Sequence, residues 1–313
     1  MLPPHRRQDT VDIPRGRAVY HCRRSAVFSK AAERWAPTDP RATSPITERA
    51  LTELSFKDEA ATAYDQAVAH VSAHFLPFLL RAARLEPGQH VLDVATGTGI
   101  AAEAAIAVVG AGGHVTAADN SQAMVDRARQ RLVGSPNASV VVDDGQSLTF
   151  ADGSFDAVVC SFGLMFFPDP ARGLSEFHRV LRPGGRAAVS VLTTPERSYN
   201  GRINVVIARR VPSLAEATAR TFSVGDESRL RFLFDRAGFR DVETTTEAHA
   251  FVFPSFDAYF EPFERGGGSS GQAYVALPEA ERRAVREEVR RNVGDTGGSV
   301  GIDVEFRFAS GRR

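Results

Sequence analysis

The sequence predicts an α/β protein built on a doubly wound, mostly parallel sheet with helices on both faces. Three observations point there. Between His90 and Leu192 short apolar runs alternate with helical patterns, the spacing of βαβ units. A turn carrying Gly97 and Gly99 joins the first of these runs to the helix after it. The chain has 313 residues, 43% of them hydrophobic, enough to bury a large core. Right-handed crossovers make such units a sheet covered on both sides, with a ligand crevice at the strands' carboxyl ends. The length suits roughly two domains, or one large α/β domain with an appendage.

Residues 1–50 carry nine Arg, one Lys, five acids and six Pro without a sustained apolar period, and read as a basic, disordered tail. From Leu51 to Leu85 Tyr64, Val68, Val71, Phe75, Phe78 and Leu79 recur at helical steps, until Glu86-Pro87-Gly88 stops the helix. Strands are expected over His90–Thr96, His114–Asp119, Ala138–Asp143, Phe155–Leu164 and Arg186–Leu192. The intervening helices run over Ile100–Val109, Ser121–Leu132 and through Glu176–Leu181. After Thr193 helices are expected around Tyr199–Arg210, Asp226–Ala237 and Pro278–Val293, and strands over Val242–Phe253 and Ile302–Phe308. Gly266-Gly-Gly-Ser-Ser-Gly271 reads as a flexible loop.

Composition removes several function classes. The 38 basic and 38 acidic residues cancel, unlike the basic excess of a dedicated nucleic-acid binder. Two cysteines, Cys22 and Cys160, cannot build a disulfide framework or a Cys-rich zinc site. No apolar run approaches a membrane span and no apolar leader follows Met1, so a soluble cytoplasmic protein is expected, with no membrane partner. All but two basic residues are Arg. Lys30 and Lys57 follow Ser29 and Phe56, so the G-x-x-x-x-G-K-[ST] phosphate loop is missing. A Tyr-x-x-x-Lys pair is missing too, since Ala26 and Glu53 stand four residues before the lysines.

The chemistry concentrates in Val91-Leu-Asp-Val-Ala-Thr-Gly-Thr-Gly-Ile100. Its glycines permit a tight turn and close backbone approach to a ligand, and the following helix offers free N–H groups. Gly97-x-Gly99-x-x-Ala102 taken alone also fits a dinucleotide fingerprint. Asp119, about 20 residues on, suits the vicinal hydroxyls of a ribose, or alternatively caps the next helix.

Asp93-Val-Ala-Thr-Gly-Thr-Gly99 resembles the first motif of class I S-adenosylmethionine-dependent methyltransferases, with Ala95 where many members have Gly. Asp143-Asp-Gly-Gln-Ser-Leu148 with Phe150, then Gly153-Ser-Phe-Asp156, Ser161-Phe-Gly-Leu164, Phe167-Pro-Asp169 and Arg179-Val-Leu-Arg-Pro-Gly-Gly185 follow in family order. Within that superfamily the chain is most similar to the methyltransferase-11 group, which includes ubiquinone/menaquinone-type enzymes. The resemblance implies a Rossmann-like domain over 51–313: seven strands, an antiparallel last strand near Ile302–Phe308, a cofactor core over 86–192 and a helical acceptor lid from residues 193–313, joined by the 51–85 segment.

It also implies S-adenosyl-L-methionine as cofactor and assigns roles. Asp93 orients the glycine loop and the methionine ammonium, directly or through water. Ala95, Thr96 and Gly97 line the methionine end with Gly99 in the same cofactor-binding loop, Asp119 takes the ribose, and Asn120 and Met124 flank the adenine. Asp144 accepts from the adenine amine beside the Gly145 backbone, while Ser161 and Phe162 face the sulfonium. Met124 and Phe162 equally suit a plain core. The expected reaction moves a methyl group to an O, N or C atom of a small organic acceptor, aromatic or natural-product-like. Phe251, Phe253, Phe256, Tyr259, Phe260 and Phe263 offer an aromatic acceptor wall, or ordinary core packing.

In-line displacement at a sulfonium needs alignment more than acid–base help, and no metal. A base is required only for a protonated acceptor, with Tyr64, His70, His74, His249 and Tyr259 as candidates and surface or core roles as the bland reading of each. His178 reads as a packing residue. Cys160-Ser-Phe-Gly163 replaces the Asn/Asp-Pro-Pro-Tyr/Phe motif of nucleic-acid amino-methylating members, so no nucleic-acid partner is expected. Gly267-Gly-Ser-Ser-Gly271 fits G-x-S-x-G without its strand-turn-helix setting. The alternatives are an NAD(P)-dependent oxidoreductase and a non-catalytic S-adenosylmethionine-binding protein. A monomer or homodimer is expected.

Overall fold

Five strands run parallel: β1 (His90–Val94), β2 (His114–Asp119), β3 (Ala138–Val142), β4 (Phe155–Ser161) and β5 (Leu181–Leu192). Two more, β6 (Arg240–Phe253) and β7 (Val300–Arg312), complete a seven-stranded sheet in the order β3-β2-β1-β4-β5-β7-β6. β7 is antiparallel to both neighbours, with Leu192 opposite Phe306 and Phe253 opposite Val300. Residues 58–313 are described by this computed structural model, apart from the side chains of 58–69, Ser213 and Ser269. The tail expected over 1–50 and the start of the helix expected at Leu51 lie outside the described residues.

The central strands are apolar because both their faces are covered. Val91, Leu92, Val158, Val159, Val189 and Val191 are fully buried. The crossover helices are α2 (Ile100–Val109) and α3 (Gln122–Arg131), which follow β1 and β2, and α4 (Pro170–Val180), which leads into β5. Asp169 caps α4, accepting from the backbone N–H groups of Ala171 and Arg172. β5 begins at Leu181, five residues before the expected Arg186. Its Arg182-Pro-Gly-Gly185 stretch forms an irregularity between Leu181, opposite Phe155, and Arg186, opposite Ala157. β4 ends at Ser161 rather than Leu164, because Leu164–Phe166 turns into a 3-10 helix.

Helix α1 (Asp58–Ala82) precedes the sheet. Beyond β5 come α5 (Gly201–Ala208), α6 (Ser213–Thr221) and α7 (Glu227–Arg236), and between β6 and β7 lie α8 (Phe256–Glu264), α9 (Gly268–Val275) and α10 (Glu279–Asn292). Neither α6 nor α8 is among the helices expected from the sequence, although Phe256, Tyr259, Phe260 and Phe263 of α8 recur at the three- and four-residue steps of a helix. The expectation of a flexible loop over 266–271 is wrong. Gly266 has φ of 81°, and Gly271 packs so closely that an added Cβ would lie 2.5 Å from the Gly266 carbonyl carbon. These small residues allow a close backbone crossing at the start of α9. No helix among the described residues is long and apolar enough to cross a membrane.

Candidate active site

A cavity of about 460 Å³ opens at the carboxyl ends of the parallel strands. Its lining includes Ala95, Thr96 and Gly97 after β1, Asp119 and Asn120 at the end of β2, Met124 in the first turn of α3, Asp144 and Gly145 after β3, and Ser161 and Phe162 at the end of β4. Ten of the twelve residues named from the sequence therefore meet around one space. Asp93 and Gly99 are not part of its lining. Sheet order separates its two ends: β2 lies three strands from β5, about 14 Å.

Backbone geometry explains the glycine turn. Gly97 and Gly99 have φ of 56° and 87°, values that cost little only without a Cβ. Gly97 N donates to Asp119 Oδ2 and Ser121 N to Asp119 Oδ1, each at 2.9 Å. One carboxylate thus ties the turn after β1 to the end of β2, leaving further lone pairs on both oxygens. Burial raises its pKa, opposed by these two backbone bonds. Ala95 and Phe162 also take left-handed φ, 55° and 54°. Such strain in a bulky residue is held by its surroundings: Phe162 N donates to Ser190 O, and its ring lies 4.4 Å from that of Phe306.

Asp93 is fully buried. Its Oδ2 accepts from Thr96 Oγ1 at 2.6 Å, and its Oδ1 has no hydrogen-bond partner among the described residues. Burial pushes its carboxyl up to about 7 against the Thr96 bond. Cys160, also buried, is pushed up to about 12 by burial and by the Asp93 charge, which keeps it a neutral packing group. Asp144 Oδ1 accepts from Gln146 N at 2.9 Å. Gly145 needs to be glycine: an added Cβ would meet Phe167 Cζ at 2.4 Å and Val94 Cγ1 at 2.7 Å.

The base candidates do not gather here. His70, His74 and His249 are absent from the lining, and the pKa values of His70 and His74 are lowered by burial. His74 and His249 face each other with ring centroids 3.9 Å apart. The Tyr259 hydroxyl is buried and donates to Tyr199 O at 2.7 Å, and burial raises its pKa further. Tyr64 has no described side chain. His178 packs edge-on against Phe239. Of the expected aromatic wall, Phe256, Tyr259 and Phe260 are core and only Phe263 reaches the cavity.

Other lining residues carried no local sequence signal. Val71, Ser72 and Leu76 come from α1, Ser198, Tyr199, Asn200 and Asn204 from the entry to α5, Ser270 from α9 and Phe306 from β7. Asn200 and Ser270 bond to each other across 70 positions, a pairing that only the folded chain creates. Among the described residues, charged side chains line the cavity only at the β2–β3 end, as Asp119, Asp143 and Asp144. Among the described residues no cluster of three or more His, Cys, Asp or Glu could hold a metal ion.

Residues 92–189 match the family model described as a methyltransferase domain. A demethylmenaquinone methyltransferase from Clavibacter sepedonicus is 37% identical over 180 residues, covering 55% of this chain and 72% of that protein. A ubiquinone/menaquinone biosynthesis C-methyltransferase from Geotalea uraniireducens is 38% identical over 121 residues, covering 38% of this chain and 52% of that protein. Several further relatives are likewise spanned over only a little more than half their length. In structure the chain resembles Haemonchus contortus phosphoethanolamine N-methyltransferase 2 solved with S-adenosylhomocysteine, with a TM-score of 0.54 and 17% identity over 84% of this chain and 59% of that one. The YcgJ protein of Bacillus subtilis gives a TM-score of 0.52 and 18% identity over 77% of this chain and 98% of that one. These structural likenesses establish the fold, and the sequence relatives set the dinucleotide alternative aside. The chain belongs to the class I S-adenosylmethionine-dependent methyltransferases, and it is a methyltransferase with S-adenosylmethionine as its cofactor.

Proposed function

We propose that the enzyme methylates a neutral, largely apolar aromatic acceptor of the quinol class named in its curated relatives, held between the cofactor and the helices after β5. One observation carries this reading. The cavity wall beyond the strand-end acids consists of Val71, Leu76, Leu192, Tyr199, Phe263 and Phe306 with a few neutral polar groups, and holds no charged side chain among the described residues. Such a wall rejects a charged amine or phosphate, whose desolvation nothing there offsets, and favours burial of an aromatic ring. A second hollow of about 320 Å³ shares Met165, Phe166 and Asn204 with the cavity and adds Ile207 and Leu214, with the exposed Arg220 also in its lining, room for an extension of the acceptor.

The cofactor assignments rest on fit. Asp119 has lone pairs for ribose hydroxyls, and Asp144 with the tightly packed Gly145 suits an adenine edge. Thr96, in the cavity lining, donates its hydroxyl to the buried Asp93 and so keeps its own lone pairs for the cavity side. That arrangement suits a cation above Thr96. S-adenosylmethionine supplies an electrophilic methyl group on sulfur. Ser161 and the strained Phe162 sit where β4 meets the acceptor end, and their task is to fix the approach line. Alignment of reacting atoms about 3–3.5 Å apart supplies several kcal/mol. The elements after β5, together with α1, serve as the acceptor lid.

The test is transfer of labelled methyl from S-adenosylmethionine to a panel holding reduced demethylmenaquinone, 1,4-naphthohydroquinone, phosphoethanolamine and glycine. Label in the quinols alone is expected. Label in the amines alone overturns the reading.

A further inference from the structure

Two buried serines and the half-buried Asn200 form a continuous chain in the apolar wall near β5. Ser198 is fully buried and Ser270 is 2% exposed. Ser198 Oγ donates to Asn200 Oδ1 at 3.0 Å, and Asn200 Nδ2 donates to Ser270 Oγ at 3.1 Å. Gly201 N donates to Ser198 Oγ at 3.2 Å, anchoring the chain at the start of α5. All three side chains line the cavity.

The bonds run in one direction, which decides what is left over. Ser198 has used its proton, and the Asn200 carbonyl has accepted it. An amide carries two N–H donors and a serine hydroxyl one. One Asn200 N–H and the Ser270 O–H therefore have no acceptor among the described residues. Beside them the Tyr199 hydroxyl is buried, again without a partner. The unused hydrogens of Asn200 and Ser270 are donors, their oxygens keeping spare lone pairs as well, and among the described residues neither a cation nor a carboxylate stands beside them. An orphaned donor in an apolar wall is costly, so the wall is complementary to something that supplies acceptors.

We infer that Asn200 and Ser270 form an oxygen-binding subsite, donating hydrogen bonds to a carbonyl or phenolic oxygen of the methyl acceptor. The inference rests on the aromatic-acceptor reading and refines it: the ligand is an apolar ring that carries a neutral oxygen on the side facing α5 and α9. A hydrocarbon of the same shape leaves both donors unpaired and is discriminated against. Ser198 touches no ligand in this arrangement. It positions the Asn200 amide by occupying its carbonyl, so that the N–H groups face the cavity and Ser270.

Equilibrium dialysis of the full chain saturated with S-adenosylhomocysteine, against 1-naphthol and against naphthalene, tests this without turnover. The wild-type protein is expected to bind 1-naphthol about tenfold more tightly than naphthalene. In Ser270→Ala and in Asn200→Ala that preference falls toward one, while naphthalene binding is kept, which shows that the cavity has survived. A wild-type preference below about twofold, or an undiminished preference in Ser270→Ala, overturns the subsite and leaves the aromatic reading standing. Failure of the wild-type protein to bind either compound overturns both.

Discussion

Asp93 provides the sharpest test of how the cofactor end works. Burial holds its carboxyl at about 7 instead of the ordinary 3.8, and Thr96 places a hydroxyl between it and the cavity. A cation bound above Thr96 stabilises the carboxylate. An opposite charge about 4–6 Å away lowers a carboxyl pKa by about 1–3. At the lower figure the carboxyl moves from about 7 to about 6 on binding. Linkage then makes affinity for S-adenosylhomocysteine, which retains the ammonium, rise about eightfold from about pH 5 to about pH 8. Calorimetric titration across that range reads it directly. Asp93→Asn has nothing to ionise there and loses this rise. Asp119, also raised by burial, contributes any pH dependence that survives in the variant.

The same shift makes a stability claim of definite sign. Folding raises the Asp93 pKa, so its contribution is fully present below about 4 and is lost as pH rises through about 7. The nominal size is on the order of 4 kcal/mol. The ligand-free protein should therefore weaken to urea across that window, and Asp93→Asn should weaken less. A wild-type affinity that is flat with pH, or a rise of equal size in Asp93→Asn, refutes the coupling.

Other consequences follow from single contacts. Tyr259→Phe removes the bond to Tyr199 O at 2.7 Å and strands a buried carbonyl, costing about 1–3 kcal/mol in urea denaturation. Tyr199→Phe removes a hydroxyl that has no partner among the described residues, so stability holds or rises by about 1 kcal/mol; a loss as large as that of Tyr259→Phe contradicts the structure. Gly145→Ala drives a methyl into Phe167 and Val94, with an expected cost of about 1–3 kcal/mol and weaker binding of S-adenosylhomocysteine in dialysis. Because His70, His74 and His249 stay out of the cavity lining, alanine at each leaves the pH profile of methyl transfer unchanged, and that profile follows the acceptor's own ionisation. A limb that disappears with any one histidine would place that histidine in the reaction.

What the sequence made legible follows physical range. His114–Asp119 and Ile100–Val109 match the structure residue for residue, since a buried parallel strand and an Ala-rich helix between glycines are set by neighbours a few positions away. The residues around the glycine turn were legible for the same reason: they sit at strand ends, where the fold itself puts a crevice. The acceptor side was not. Ser198, Asn200 and Ser270 acquire meaning only when α5 and α9 meet, and no local pattern announces a contact across 70 positions. The glycines at 266–271 misled because the same residue serves mobility and close packing alike, and only the 2.5 Å approach to Gly266 separates the two. The phenylalanines of α8 show the converse, an aromatic run that reads as a ligand wall and is spent almost wholly on the core.

We propose that one cavity holds the methyl donor at the ends of β1–β4 and the acceptor against the wall beyond β5. The most direct measurement is a crystal structure of the complex with S-adenosylhomocysteine. The account predicts ribose hydroxyls within hydrogen-bonding distance of Asp119, the adenine beside Asp144 and Met124, and the sulfur facing Ser161 and Phe162, with the space before Asn200 and Ser270 left open. Product bound with its adenosine against Asn200 and Ser270, or outside this cavity, would contradict it.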